Sequence, residues 1–287
     1  MPNNCSPLRY PGGKTQLYHF VHRILECNNL LGETYVEPFA GGAGLGLKLL
    51  LENEVKKIII NDFDFAIYSI WYCILNYTDD FCNKIEQTSV SLNEWDRQKS
   101  IYNSKTKNVF DMGFSAFYLN RTNRSGVIKG GMIGGRDQAG KYKIDARFNK
   151  KALQDKIRRI ASKRDKIVLT NMDASEFISS GFLNHYYKTF INFDPPYVIK
   201  GSQLYKNSYT EGDHRSLAQL ISKCSRKWMV TYDICPLTEE LYGRFRTAKI
   251  NINYSVGNSV KANEYAFFSN NLTLPDDINL LNLGLAN

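Results

Sequence analysis

Two kinds of segment are missing from this 287-residue chain. No run approaches the roughly 18 consecutive apolar residues of a membrane-spanning helix, and the opening MPNNCSPLRYPGGK has no apolar core of a secretory signal. A cytoplasmic protein with no membrane partner is the expectation. The six cysteines (Cys5, Cys27, Cys73, Cys82, Cys224, Cys235) form no CxxC pair and have no histidine at ligand spacing. They read as reduced, mostly buried thiols. The four histidines (His19, His22, His185, His214) belong to no triad or metal pattern, so no metal centre is expected. Internal repeats and low-complexity tracts are absent as well. So are G-x-G-x-x-G and the P-loop, which leaves dinucleotide hydride transfer and nucleotide hydrolysis poorly supported.

What is there is an ordinary globular composition, 43% hydrophobic and 23% charged, with a formal charge of +9 and a pI near 9.1. Such a balance favours a polyanionic partner, and nucleic acid is the commonest in a cytosol. Periodicity supplies the fold. Thr34 to Phe39 is a short apolar run that meets the glycine cluster AGGAG and then LGLKLLLEN with helical spacing. Lys57 to Asp62 opens a second strand and helix pair. Further strands are expected at Lys166 to Thr170, Lys188 to Phe193, Lys227 to Tyr232 and Arg246 to Ile252. Strands alternating with helices predict an α/β fold with a parallel sheet covered on both faces.

Between about Thr78 and Lys150 the strand signal disappears for longer than an ordinary connection. An inserted, mainly helical module at 78–150 is therefore expected, dividing a catalytic domain into residues 1–77 and 151–287. The module ends in VIKGGMIGGRDQAGKYKIDARF, which reads as loops and a hairpin. Its cations, including Lys129, Lys141 and Lys143, stand among glycines that allow close approach to a phosphate chain.

Three motifs sit at strand ends, where open α/β sheets bind ligands. Glu37 to Gly44 (EPFAGGAG) can hold a ligand against its backbone at a helix N-terminus. Asp62 ends the next strand, where an acid can accept both hydroxyls of a ribose, although it could equally cap the following helix. The third is Asn192-Phe193-Asp194-Pro195-Pro196-Tyr197. Proline has no donor and a fixed φ, so the pair stops the strand and fixes the direction of Asp194 and Tyr197. A fourth segment, Arg9 to Lys14, surrounds a turn with an aromatic ring and a cation.

Taken together, LRYPGGK, EPFAGGAG, IINDFD and NFDPPY resemble, in this order, the motifs of the Dam-type (α-group) DNA adenine-N6 methyltransferases, and FYLNRTNRSG is similar to that family's DNA-contacting segment. The resemblance runs from Pro7 to about Asn270, including the strand EYAFFSN. Two stretches depart from it: Ala174 stands where the family often has an aromatic, and VIKGGMIGGRDQ does not match the family's best-known members. The resemblance implies a Rossmann-like S-adenosylmethionine-dependent methyltransferase sheet carrying a target-recognition module. It implies cofactor contacts at Tyr10, Lys14, Asp62 and Asp194, with Glu37, Phe39, Gly41 and Gly44 of the glycine motif and Asp173 beside them. Asp194, Pro195, Pro196 and Tyr197 become the catalytic set: two acceptors for the target amine, and a ring to stack on an adenine flipped out of double-stranded DNA. Arg9, Asn120, Arg121 and Arg124 match or neighbour DNA-contacting positions. A restriction endonuclease acting on the same site is a partner the resemblance allows. Methylation of RNA or of a protein glutamine amide, and a silent DNA-binding regulator on the same scaffold, are the competing readings.

Overall fold

A computed structural model describes residues 5–10, 12–199, 209–256, 258–281 and 283, with the backbone alone over 253–256 and 258–262. Pro11 of the first motif lies outside the described residues. Five apolar runs become parallel strands within two residues of their expected limits: β1 (Thr34–Glu37), β2 (Lys57–Asn61), β3 (Ile167–Thr170), β4 (Thr189–Phe193) and β5 (Lys227–Asp233). Every residue of β1 and β4 is buried, as is all of β2 but its first. Burial on both faces is what makes these sequences continuous apolar runs instead of alternating ones.

The described sheet has the order β3-β2-β1-β4-β5-β7-β6-β8, where β6 is Arg246–Val256, β7 Asn258–Phe268 and β8 Leu280–Leu281. Parallel pairing stops at β5, which corrects the sequence expectation. β7 runs antiparallel to both β5 and β6. The reason is the connection: Val256 pairs with Asn258, so one residue separates the two strands, and a parallel crossover needs a dozen or more. The hairpin then slots β7 between β5 and β6.

Helices α1 (Tyr18–Cys27), α2 (Gly44–Leu51) and α3 (Phe65–Asn76) follow the first turns of the chain. Asp64, and not Asp62, caps α3, accepting from the Ala66 amide at 2.9 Å. That releases Asp62 for another use. α3 is apolar nearly all round because it packs against β3 and also against α6. Residues 78–122 supply α4 (Thr78–Gln87), α5 (Leu92–Asn103) and α6 (Val109–Thr122). Phe81 of α4 meets Phe114 and Phe117 of α6 edge-on at 5.9 and 5.2 Å, and these rings belong to one core continuous with the sheet.

The hairpin expected before residue 147 is not formed among the described residues. A single antiparallel bridge, Asn123 to Met132, is followed by turns. Gly126, Gly134 and Gly135 all have positive φ, which bends the chain where a hairpin needs it extended. The remaining helices are α7 (Lys150–Ala161), α8 (Ala174–Ser179), α9 (Glu211–Lys223) and α10 (Pro236–Tyr242).

Gly113 is where α6 crosses α3. A Cβ there would lie 2.6 Å from the Ser69 carbonyl oxygen and 2.8 Å from Cys73 Sγ. Gly113→Ala should therefore push the two helices apart and cost about 1–3 kcal/mol of stability, read by chemical denaturation; an unchanged midpoint would mean that the crossing is loose.

Candidate active site

The carboxyl ends of β2, β1 and β4 lie side by side, and each delivers a motif to one cavity. After β1 the chain turns through Gly41, whose φ of +45° puts its backbone against Tyr10. A Cβ at Gly41 would sit 2.6 Å from the Tyr10 ring. The turn is pinned from both sides: Trp71 Nε1 donates to the Gly41 carbonyl at 2.9 Å, and the Gly41 amide donates to Asp62 Oδ2 at 2.8 Å. Asp62 Oδ1 accepts from the Asp64 amide at 2.9 Å. Burial still dominates, and pushes the Asp62 carboxyl up to about 7. Asn61, behind it, ties β2 to its neighbours through Pro38, Thr170 and Met172.

Glu37 ends β1 on the same floor. Its Oε1 accepts from the Gly46 amide at 3.0 Å and from the Tyr35 hydroxyl at 3.2 Å. Burial outweighs these bonds and raises its pKa to about 7.

At the end of β4 a charged cluster forms around Lys14. The Lys14 ammonium lies 2.8 Å from Asp194 Oδ1 and donates to the Gly12 carbonyl at 2.9 Å and to the Tyr197 hydroxyl at 2.7 Å. The Tyr197 hydroxyl donates to Glu264 Oε2 at 2.6 Å, and Thr231 donates to Asp194 Oδ1 at 2.8 Å. Burial alone would lower the Lys14 pKa, but the charges of Asp194 and Glu264 outweigh it and raise the pKa. Among the described residues every partner of Asp194 is on Oδ1. The Asp194 side chain is 25% exposed and lines the cavity.

The cavity is lined by most of the expected cofactor residues: Tyr10, Lys14, Glu37, Phe39, Gly41, Gly44, Asp62 and Asp194. Pro196, Asn120 and Lys129 line it as well. Asp173 does not; it caps α8 by accepting from the Ser175 amide at 2.8 Å. Pro195 and Tyr197 lie behind the lining, and Tyr197 is only 6% exposed, with Lys14 5.1 Å from its ring centre. In this arrangement its ring offers no open face to a base.

The expected DNA residues separate into two groups. Asn120 is 1% exposed and clasps the Arg9 backbone from both sides, its Oδ1 accepting from the amide at 2.9 Å and its Nδ2 donating to the carbonyl at 2.8 Å. The Arg9 guanidinium donates to the Asn123 carbonyl at 2.8 Å. Arg121 donates to the carbonyls of Arg147 and Pro7, and its pKa falls to about 9 through burial and the charges of Arg9 and Arg147. None of Arg9, Arg121 and Arg147 has an ion pair among the described residues. Arg124, Lys129, Lys141 and Lys143 are exposed on the loop that follows α6.

Several residues of this site have no role assigned from the sequence. Phe63 is 58% exposed on the rim beside Asp62, and Tyr102 and Tyr209 also line the cavity. Glu264 and Asn192 are buried polar groups inside apolar strands. That mismatch was the signal that could have found them.

Three adjacent parallel strands of an α/β sheet thus bring a glycine turn, a strand-ending acid and a rigid Asp-Pro-Pro-Tyr to one edge, the arrangement of an α/β enzyme. The family follows from comparison. The model of the D12 class N6 adenine-specific DNA methyltransferases matches residues 10–256, and the chain belongs to that family. It is a DNA adenine-N6 methyltransferase, and so requires a methyl donor. It is 26% identical over 236 residues, 77% of this chain and 78% of the relative, to the type II methyltransferase M.MjaIII of Methanocaldococcus jannaschii. Among solved structures, an RNA methyltransferase candidate from Pyrococcus horikoshii is similar at 11% identity and a TM-score of 0.45, over 92% of this chain and 87% of the other. An rRNA methyltransferase of Streptomyces viridochromogenes is similar at 11% identity and 0.37, over 90% and 86%. No helix among the described residues is long and apolar enough to cross a membrane.

The raised pKa of Glu37 has a sign that can be checked. Folded, the carboxyl keeps its proton up to about pH 7; unfolded, it loses it near 4.5. Between those values the folded state binds more protons, so raising the pH favours unfolding. The stability of the wild type relative to Glu37→Gln should fall across that window, by at most about 1.4 kcal/mol per pH unit. Melting curves of both proteins at pH 5, 6, 7 and 8 measure it; a wild type that gains stability relative to Glu37→Gln as the pH rises would contradict the burial argument. Tyr197→Phe removes the 2.6 Å bond to the buried Glu264 carboxylate. It should cost about 1–3 kcal/mol, and an unshifted melting point would place the hydroxyl outside the network.

Proposed function

We propose that the chain moves the methyl of S-adenosylmethionine to the N6 amine of an adenine flipped out of double-stranded DNA, at a specific site. The observation that carries this reading is the state of Asp194: one carboxylate oxygen is fixed by Lys14 and Thr231, while the half-buried side chain lines the cavity. The donor set fits the cofactor. Asp62 suits ribose hydroxyls, the glycine turn admits a ligand against its backbone, and carboxylates suit a cationic amino-acid end. When bound, S-adenosylmethionine supplies an electrophilic methyl on a sulfonium, with no metal or covalent intermediate needed.

The chain's own work is orientation. The adenine amine is a poor nucleophile because its lone pair is delocalised into the ring. Asp194 and the Pro195 carbonyl are the acceptors we assign to its two N–H bonds, and accepting both localises the pair toward the methyl. Pro195 and Pro196 keep the acceptors from turning away. Of the roughly 7–11 kcal/mol available from proximity and orientation, several can arise here. Tyr197 acts as a positioning residue through its hydroxyl, which holds Lys14 and Glu264; stacking on a base would require that hydroxyl to leave both.

We assign residues 78–150 to target recognition, between catalytic parts 1–77 and 151–287. Within that module Arg124, Lys129, Lys141 and Lys143 are the exposed cations for DNA. A cognate restriction endonuclease would act on the same site, in keeping with the type II name of the relative from Methanocaldococcus jannaschii.

Asp194→Ala should lower methyl transfer to duplex DNA by about 10²–10³, and Asp194→Asn by less, because an amide oxygen still accepts. Radiolabelled transfer from S-adenosylmethionine, with the product base identified by mass spectrometry, decides it. Retention of more than about a tenth of the wild-type rate by Asp194→Ala, or equal labelling of RNA or protein, would overturn the reading.

A further inference from the structure

Lys99 of α5 is a half-buried cation without an acid. Among the described residues it has no ion pair, while the Trp95 ring centre lies 5.5 Å from its ammonium and burial lowers its pKa. Desolvating an ammonium is unfavourable, and a methionine would cover the same ring without that cost, so the charge needs a use. Its partners are three backbone carbonyls of one turn: Ile128 at 3.5 Å, Lys129 at 3.2 Å and Gly130 at 3.5 Å.

The same turn is held from a second side. Asn123 is fully buried, and Trp95 Nε1, which can only donate, does so to Asn123 Oδ1 at 2.7 Å. The Asn123 nitrogen is thereby aimed at the carbonyls of Val127, Ile128 and Gly130, at 3.0, 2.9 and 3.1 Å. Asn120 Nδ2 donates to the Gly126 carbonyl at 2.8 Å, and the Arg124 amide to that of Gly131 at 3.0 Å. Every carbonyl from Gly126 to Gly131 therefore has a donor within the module. The amides differ: those of Ile128 and Lys129 have no acceptor among the described residues.

Gly126, Val127, Ile128 and Lys129 line the same cavity as Asp194. The turn is also seated against the first motif, since Gly126 has a φ of +79° and a Cβ there would collide with the Arg9 carbonyl. A base flipped into a cavity belongs to a continuous strand, so its phosphates stay at the rim. Unpaired amides and the exposed Lys129 ammonium are the donors that a phosphate oxygen accepts from.

We propose that Lys99 is a positioning residue of DNA binding: by holding the carbonyls of 128–130 inward, it sets the Ile128 and Lys129 amides and the Lys129 ammonium toward one backbone phosphate beside the flipped adenine. The inference rests on residues 78–150 taking the DNA target. Lys99 stands behind the turn and touches no phosphate itself. A turn fixed before DNA arrives has less freedom to lose on binding, and affinity is gained that way.

The test is steady-state methyl transfer by the full chain to unmethylated genomic DNA, which contains the target whatever its sequence, at several salt concentrations. S-adenosylhomocysteine affinity is measured alongside by calorimetry. Lys99→Met removes donors and charge, Lys99→Arg keeps both, and Asn123→Ala loosens the same turn without altering charge. Lys99→Met should raise the KM for DNA about tenfold, the loss expected for charge-assisted hydrogen bonds, and affect kcat and S-adenosylhomocysteine affinity far less. Lys99→Arg should recover most of that loss. Asn123→Ala should raise KM in the same direction and flatten its salt dependence by about one, as for one phosphate contact. A KM unmoved by Lys99→Met, or a loss falling equally on kcat and S-adenosylhomocysteine affinity, overturns the inference and leaves the DNA reading standing. If Asn123→Ala left KM and its salt dependence untouched, Lys99 would act through charge alone and the positioning role would fall. Should Lys99→Met fail to fold, Lys99→Gln is read by the same criteria. A wild type that methylates no DNA overturns the reading of residues 78–150, and the inference with it.

Discussion

The structure of the site depends on one buried cation. Lys14 comes from the turn after Gly12 and Gly13, near the start of the chain, and its ammonium holds Asp194 at 2.8 Å and Tyr197 at 2.7 Å. Glu264 of β7 closes the group at 3.7 Å. Four segments distant in sequence thus meet at one charge: residue 14, the turn after β4, Thr231 of β5 and Glu264 of β7. Taking a lysine and two carboxylates out of water is expensive, and apolar residues of similar volume would often be as stable. What the cluster provides is direction. With the cation in place, one oxygen of Asp194 is fixed and the carboxylate plane with it. Without it, Asp194 and Glu264 would be two like charges sharing a buried space.

The sheet explains why the motifs converge. β2, β1 and β4 are adjacent and parallel, so the residues after each strand emerge at the same edge. Their spacing along that edge is set by backbone hydrogen bonds alone. Asp62, the glycine turn and Asp194 therefore line one cavity along that edge, an arrangement that suits the cofactor proposed above. The antiparallel β7 adds a second constraint. By inserting next to β5 it brings Glu264 opposite Asp233, and Asp233 in turn accepts from the Val198 and Ile199 amides just after the Pro-Pro turn.

The five parallel strands were legible because full burial writes itself as an apolar run, and the strand-ending acids were legible because they interrupt such runs. The order of the last strands was not. Whether β7 pairs beyond β6 or beside β5 depends on tertiary packing that no local pattern in Arg246 to Phe268 encodes. Asp62 and Asp64 show another limit: both are three residues or fewer from a helix start, and only the structure assigns the cap to Asp64 and leaves Asp62 facing Gly41. Asn120 reads as a polar residue in a DNA-contacting motif, but its hydrogen-bonding capacity is spent on Arg9 and Gly126. Sequence carries the residue type; it does not carry which backbone groups lie within reach.

Charge is sorted by depth across this molecule. Inside the cavity the ionisable lining is largely acidic, with Glu37, Asp62, Asp64 and Asp194 against the single buried Lys14 and the rim residue Lys129. Beside it, Arg9, Arg121 and Arg147 stand together without a carboxylate partner among the described residues, and burial, with the charges of Arg9 and Arg147 added, lowers the Arg121 pKa to about 9. An anion beside such a group would lower its mutual repulsion. An acidic interior and a basic exterior have complementary uses. The first favours a cationic donor, the second a phosphate backbone, and each repels the other's ligand. The net charge of +9 is then the outer half of a separation that the composition averages away.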